Sequence, residues 1–168
     1  MNRTSGPIER WVDVVRLPRG QGSVTVAASP EECAALARDF AIPALSDLVG
    51  RFDIAGSTTR LVVTGTVEAA VTQVCTVSLE PFEARVREPV EAVFSDVEPG
   101  TETEGEEGGE TPDPIVNGRI DFGALTAEFL ALALDPYPRK PGIAFEPVQL
   151  GEDVKPFDAL RRLRDGQV

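Results

Sequence analysis

The chain has 168 residues and a formal net charge of −12 at pH 7, and its sequence contains no histidine. This composition excludes catalysis by Ser-His-Asp and Cys-His groups and removes the commonest metal ligand of proteins. The length suits one domain with a core of ordinary size, so we expect a single domain over residues 1–168.

The acidic charge is concentrated in one part of the chain. Residues 88–117 contain ten acidic residues and no Lys or Arg, which leaves 18 acids against 16 bases elsewhere. The remainder of the domain is therefore nearly neutral, and the global charge says little about its binding surface.

Two features indicate the compartment. No apolar run approaches the roughly 18 to 20 residues that span a bilayer, and the N-terminus lacks the apolar region of a signal peptide. We therefore expect a cytoplasmic protein without a membrane segment. Cys33 and Cys75 are far apart in the sequence, and in a reducing cytosol we expect both to be buried structural thiols.

The first predicted elements are two strands and a helix. Residues 9–17 and 23–27 are rich in Val and have the pattern of strands. A serine at the N-cap, a proline at the first helical position and a glutamate at N3 form a capping box, which predicts a helix over residues 30–40. Three residues of this helix are spaced to share an inward face: Cys33, Leu36 and Ala37.

An antiparallel meander follows. Residues 48–54, 59–74 and 82–94 have the pattern of strands and are separated by turn residues. Gly65 suggests a bulge or bend, and Pro89 suggests an edge or bulge position in the last strand. The pattern leaves open whether the sheet closes into a barrel.

Residues 97–114 consist mainly of Glu, Gly, Thr and Pro. Such a segment has too few apolar side chains to offset the entropy lost on ordering, so we predict a flexible acidic insert. The fold class that we predict is therefore α+β: an antiparallel meander covered by one or two helices, with a disordered acidic loop.

The C-terminal part begins with a second helix. Asp121 is a suitable N-cap for a helix over residues 122–134, and the inward face that we predict comprises Phe122, Leu125, Phe129, Leu132 and Ala133. An irregular tail over residues 137–168 follows. Residues 156–164 within it have the amphipathic pattern of a short helix.

The sequence contains no recognisable set of catalytic residues. Cys75 has no base or second thiol nearby in sequence, and the carboxylates Asp13, Asp47, Asp53 and Glu80 have no spacing that specifies a shared geometry. No glycine-rich phosphate-binding motif is present. We expect no enzymatic activity, no cofactor and no bound metal.

Basic residues occur near both ends of the chain. If the two ends of the chain meet in space, these basic residues would form a modest surface that binds RNA phosphates. If the ends do not meet, the residues are scattered charges that keep the protein soluble. The residues concerned are Arg3, Arg10, Arg16, Arg19, Arg139, Lys140, Lys155, Arg161, Arg162 and Arg164.

Two sequence blocks resemble those of a known family. They are QVCTVSLEPF at residues 73–82 and IDFGALTAEFLALALDPYPR at residues 120–139. Together with the acidic stretch between them, these blocks resemble the YceD-like family, and their LEP corner and DPYPR ending are most similar to its alphaproteobacterial branch. The resemblance covers roughly residues 48–141.

The resemblance implies a role in making or maintaining 23S ribosomal RNA and the large subunit, without enzymatic activity. Many members of the family also carry a C-x-x-C pair in the first block and further cysteines after the helix, which resemble a metal-binding set. Here Ser78 occupies the second cysteine position and residues 137–142 contain no cysteine. The family's metal-binding pattern therefore does not extend to this chain.

Two functional hypotheses follow. The first is a non-enzymatic factor for large-subunit assembly that binds a ribosomal protein or 23S precursor rRNA. The second is a general protein-interaction module whose acidic loop recruits a basic partner. For the first hypothesis, the family motifs indicate four candidate partner-binding residues: Glu80, Tyr137, Arg139 and Lys140.

Overall fold

The computed structural model describes residues 6–97 and 111–144. In chain order these contain β1 (Trp11–Asp13), β2 (Gln21–Ala27), α1 (Pro30–Asp39), β3 (Ala44–Ser57), β4 (Arg60–Val74), β5 (Pro81–Ser95), β6 (Asp113–Pro114), β7 (Arg119–Asp121) and α2 (Phe122–Ala133). The predicted α+β class is confirmed. No helix in these two ranges is long and apolar enough to cross a membrane.

The main sheet has the strand order β2-β3-β4-β5-β6. The pairings from β2 to β5 are antiparallel, as the predicted meander requires, whereas β6 joins β5 in parallel. Closure into a barrel, which the sequence left open, does not occur. A barrel needs hydrogen bonds between its first and last strands, and among the described residues β2 and β6 are not paired with each other.

Two α-helices cover one face of the main sheet. The core cluster combines residues of α1, α2 and the inward face of the strands. Phe52 of β3 and Phe122 of α2 lie at its centre, with their ring centroids 5.3 Å apart. On the opposite face, strand residues such as Arg51, Arg85 and Arg87 are exposed, and no described element packs over them.

The N-terminal strand is shorter than predicted and belongs to a second sheet. In the part of the chain that the structure describes, β1 pairs only with β7, and the predicted strand over residues 9–17 ends at Asp13. The Asp13 carboxylate accepts a hydrogen bond from the Val15 amide at 3.1 Å, which forms a turn that ends the strand.

The irregularity of the meander lies in β3 and not at Gly65. The register of β3 against β4 shifts between Ser46 and Val49, next to Asp47, whose φ is 53°. Gly65 instead pairs without a register shift with both β3 and β5. A side chain at this position would collide with the Arg51 carbonyl oxygen. Pro89 also pairs without a register shift, and over most of its length β5 has no second neighbouring strand within residues 6–97 and 111–144.

Both predicted helix N-termini are confirmed. The Ser29 hydroxyl accepts from the Glu32 amide at 3.2 Å and the Glu32 carboxylate accepts from the Ser29 amide at 2.8 Å, so the capping box is complete. The three residues predicted to face inward from α1 are buried. In α2, the Asp121 carboxylate accepts from the amides of Gly123 and Ala124.

The inward face of α2 was only partly predicted. Phe122 and Leu125 are buried as expected, but Leu130 is fully buried, whereas Leu132 is 68% exposed. Glu128 is the only charged residue of this helix, so the apolar pattern alone does not specify which side faces the sheet.

The predicted insert and tail lie partly outside the described residues. At the end of the insert, Asp113–Pro114 form β6 beside Phe94 and Ser95, and residues 98–110 are not described. After α2, residues 134–144 contain no helix or strand. The predicted helix over residues 156–164 lies outside the described part of the chain.

Candidate functional site

The site suggested by the two sequence blocks forms where β4 ends. The turn from Cys75 to Glu80 is closed by two backbone hydrogen bonds of 2.9 Å, from the Cys75 amide to the Glu80 carbonyl and from the Leu79 amide to the Cys75 carbonyl. Leu79 adopts a φ of 60°, which is unusual for a bulky residue. Its side chain is 76% exposed.

The segment after α2 packs along this turn. The Asp135 carboxylate accepts from the Tyr137 amide at 2.8 Å, which bends the chain back toward the sheet. The Gln73 side chain donates to the Asp135 carbonyl at 2.9 Å. Thr76 donates to the Pro138 carbonyl twice, from its amide at 2.8 Å and from its hydroxyl at 3.2 Å. We call the paired segments 75–80 and 135–140 the junction.

An ion pair completes the junction. The ammonium of Lys140 lies 2.9 Å from a carboxylate oxygen of Glu80. The hydrogen bond and the charge of Lys140 lower the pKa of Glu80, and the same contact raises the pKa of Lys140. Both groups are therefore charged near neutral pH, and the pair fixes the end of the junction.

The sulfur of Cys75 is enclosed at the centre of the junction. Its side chain has no exposed surface, and the Ser78 amide donates to the sulfur at 3.4 Å. Hydrogen bonds from the Ser78 hydroxyl, the Ser78 amide and the Lys140 amide lower the pKa of Cys75 to about 6. Cys33 differs, because desolvation by burial raises the pKa of its thiol. The expectation that both cysteines are buried is confirmed.

The residues around Cys75 at the junction do not provide the ligands that a zinc ion requires. A structural zinc site needs four ligands of the Cys, His or carboxylate type, and here one thiol faces a serine, backbone amides and a lysine. Within residues 6–97 and 111–144, no group of three or more His, Cys, Asp or Glu residues is arranged to hold a metal. The groups that surround the Cys75 sulfur are hydrogen-bond donors, which favour the charged form of the thiol and so lower its pKa.

The structure brings the four candidate residues to one place. Glu80 and Lys140 are in direct contact, and Tyr137 and Arg139 lie exposed on the same segment. Tyr137 is 74% exposed. Sequence reasoning missed Leu79, although an apolar residue in a turn beside Glu and Pro was a signal that it lies at the surface.

Of the ten basic residues near the ends of the chain, the structure describes the side chains of four: Arg10, Arg16, Arg139 and Lys140. The Arg10 amide donates to the Asp121 carboxylate at the start of α2, whereas Lys140 lies beyond the far end of this twelve-residue helix, which is about 18 Å long. Arg10 is also bound to Glu32 at 2.9 Å, and Arg16 lies 3.6 Å from Asp13. The side chains of the other basic residues near the ends, Arg3, Arg19, Lys155, Arg161, Arg162 and Arg164, lie outside the described part of the chain, so an RNA surface built from both ends stays a prediction.

Comparison with known proteins identifies the family. Residues 63–164, more than half of the chain, match the family model described as large ribosomal RNA subunit accumulation protein YceD. This match starts later than the resemblance found in the sequence and extends further toward the C-terminus. No curated protein and no solved structure matches the chain. The family description implies a role in accumulation of large-subunit ribosomal RNA. The chain therefore belongs to the YceD family.

Proposed function

We propose that this protein is a non-enzymatic, cytoplasmic factor that supports 23S rRNA accumulation and large-subunit assembly. It acts by binding a ribosomal protein or precursor rRNA through the junction. Family membership supports the process, and the exposure of Leu79 and Tyr137 at the junction supports the surface.

The junction has the features of a preorganised contact surface. Leu79 and Tyr137 are each about three-quarters exposed, at 76% and 74%, although large apolar and aromatic side chains favour burial. The hydrogen bonds from Thr76 to Pro138 hold the two segments together, so little conformational entropy is lost when a partner binds. Tyrosine is also among the residues that contribute most to binding energy in interfaces.

The chemistry of the junction supports a binding role over an enzymatic one. The Cys75 sulfur has a low pKa but no exposed surface, so a substrate cannot reach it without opening the junction. Glu80 forms an ion pair with Lys140, which lowers the pKa of its carboxylate and makes it a weaker general base.

The test is rescue of a strain depleted of the protein, with the 23S to 16S RNA ratio and sucrose-gradient subunit profiles as readouts. The wild type should restore both, whereas a Leu79→Ser and Tyr137→Ala double variant should not. Leu132→Ser is the matched control, since Leu132 is 68% exposed but lies in α2. Circular dichroism establishes that each variant folds.

Two outcomes contradict the proposal. Unchanged RNA ratios and profiles on depletion would remove the protein from large-subunit assembly. Full rescue by the folded double variant would retain the process but remove the junction as its contact surface.

A further inference from the structure

Three arginines lie together on the uncovered face of the main sheet, away from the junction. Arg51 is on β3, and Arg85 and Arg87 are on β5. Glu68 lies between them on β4, directly opposite Arg87 in the strand register. We call these four residues the arginine face.

The arginines are only lightly engaged by this carboxylate. Arg51 Nη1 lies 3.4 Å and Arg87 Nε lies 3.3 Å from the two oxygens of Glu68. Each contact uses one of the five N–H donors of a guanidinium, so most donors remain directed to solvent. Arg85 is exposed and has no ion-pair partner among the described residues. The side chains of Arg51 and Arg87 are 58% and 70% exposed.

The spacing of the arginines suits an extended anionic chain. Arg85 and Arg87 project from the same side of β5 about 7 Å apart. Arg51 lies two strand spacings away and is level with Pro89 in the strand register, which places it about 12 Å from Arg87 and about 17 Å from Arg85. The three arginines border a surface depression of about 430 Å³ that also includes Glu68 and Asp47. The guanidiniums outnumber the carboxylates there.

The surroundings of the arginines favour RNA phosphates over a protein. Protein interfaces are centred on large apolar or aromatic anchors, whereas the residues between these arginines are small, such as Thr66, Ala70 and Val49. A phosphodiester backbone requires mainly guanidinium forks and hydroxyl donors.

We propose that the arginine face binds the phosphodiester backbone of RNA without reading its sequence. The assignment rests on the proposed function for its biological context and extends it by naming a partner and a second surface. Binding of this kind weakens as salt rises, because each phosphate contact releases counterions.

The first test measures binding of a fluorescently labelled single-stranded oligouridylate to the full chain over a range of salt concentrations. The triple variant Arg51→Gln, Arg85→Gln and Arg87→Gln should lose about tenfold or more in affinity. Three lost contacts should make the slope of log affinity against log salt shallower by about 2. The control, which has the same change in charge, replaces the exposed Arg38, Arg60 and Arg119 by Gln, and its affinity should fall by much less.

A second variant shifts affinity in the opposite direction. Glu68→Gln removes the carboxylate shared by Arg51 and Arg87, so affinity for oligouridylate should rise several-fold. Glu83→Gln, on the same face of β5, removes an equal charge without freeing these two arginines. A larger gain for Glu68→Gln than for Glu83→Gln separates release of the arginines from a general charge effect.

Three results would overturn the assignment: no binding of oligouridylate at low salt, equal losses for the two triple variants, or equally tight, arginine-dependent binding of polyglutamate. The rescue experiment keeps the two proposals apart. A wild type that restores 23S RNA but binds no oligouridylate overturns the arginine face alone, whereas failure of depletion to change 23S RNA overturns the proposed function.

Discussion

The ammonium of Lys140 lies 2.9 Å from the carboxylate of Glu80, and this ion pair joins two segments that are sixty residues apart in sequence. The same segments are joined a few residues away by the two hydrogen bonds from Thr76 to the Pro138 carbonyl. The exposed side chains of Leu79 and Tyr137 thus project from a scaffold with several independent links.

Reversal of one charge in this pair should loosen the junction. Lys140→Glu places two carboxylates in contact, so amide hydrogen exchange at Thr76, whose N–H is bound to Pro138, should accelerate. The double variant Glu80→Lys and Lys140→Glu should restore protection. Unchanged exchange in Lys140→Glu would show that the hydrogen bonds hold the junction without the ion pair.

The pH dependence of this pair follows from its two pKa shifts. The pKa of Glu80 is lowered from 4.5, so its stabilising contribution is present above 4.5 and is lost as pH falls through the lower folded-state value. The pKa of Lys140 is raised from 10.5, so its contribution is present below 10.5 and is lost above the higher folded-state value. The ion pair should therefore protect the Thr76 amide from hydrogen exchange to the same degree throughout the neutral pH range. This protection should decrease at strongly acidic and at strongly basic pH.

Cys75 should be a thiolate at neutral pH. In a Cys33→Ala background, where Cys75 is the only thiol, thiolate ultraviolet absorbance should titrate near pH 6, and Ser78→Ala should move the midpoint toward 9.0. The folded-state pKa is lowered, so the stability from the thiolate is complete above about pH 9 and is lost as pH falls through about 6. A midpoint above pH 8 would contradict the hydrogen-bond geometry around the sulfur.

Gly123 should not tolerate a methyl group. An added Cβ would lie 2.6 Å from the Ile8 carbonyl oxygen and 2.9 Å from the Arg10 nitrogen. Overpacking of this kind costs about 1 to 3 kcal/mol, which outweighs the gain of about 1 kcal/mol from alanine's helix propensity. Gly123→Ala should therefore lower the free energy of unfolding in urea. A higher free energy of unfolding for Gly123→Ala than for the wild type would show that the segment containing Ile8 and Arg10 moves away from the added methyl group at little cost.

The well-predicted features are those that neighbouring residues determine. The capping box at Ser29 and the cap at Asp121 depend on side chains within three residues of the helix start, so the sequence alone indicates them. The inward face of α2 was harder to predict, because nearly all its residues are apolar and packing against the sheet decides which are buried. Leu130 was missed for this reason.

The features that were missed depend on distant contacts. Whether the sheet closes into a barrel depends on where β6 and β2 lie relative to each other, which no local pattern shows. The family motifs did indicate Glu80, Tyr137, Arg139 and Lys140, and the structure places them in one junction. The positive φ of Leu79 and the links from Thr76 to Pro138 arise only when both segments are in place.

Deletion of residues 101–110 separates the proposed function from the alternative in which the acidic loop recruits a basic partner. Residues 96–100 and 111–112 remain to connect Ser95 with Asp113, which lie close together because β5 and β6 are paired. The deletion shortens this connection from 17 residues to 7, and because each doubling of loop length costs only about 0.6 kcal/mol, the fold should be retained. The deleted chain should restore the 23S to 16S RNA ratio in the depleted strain as the wild type does. If the folded deletion variant instead loses rescue and its bound partner, the acidic loop and not the junction carries the function.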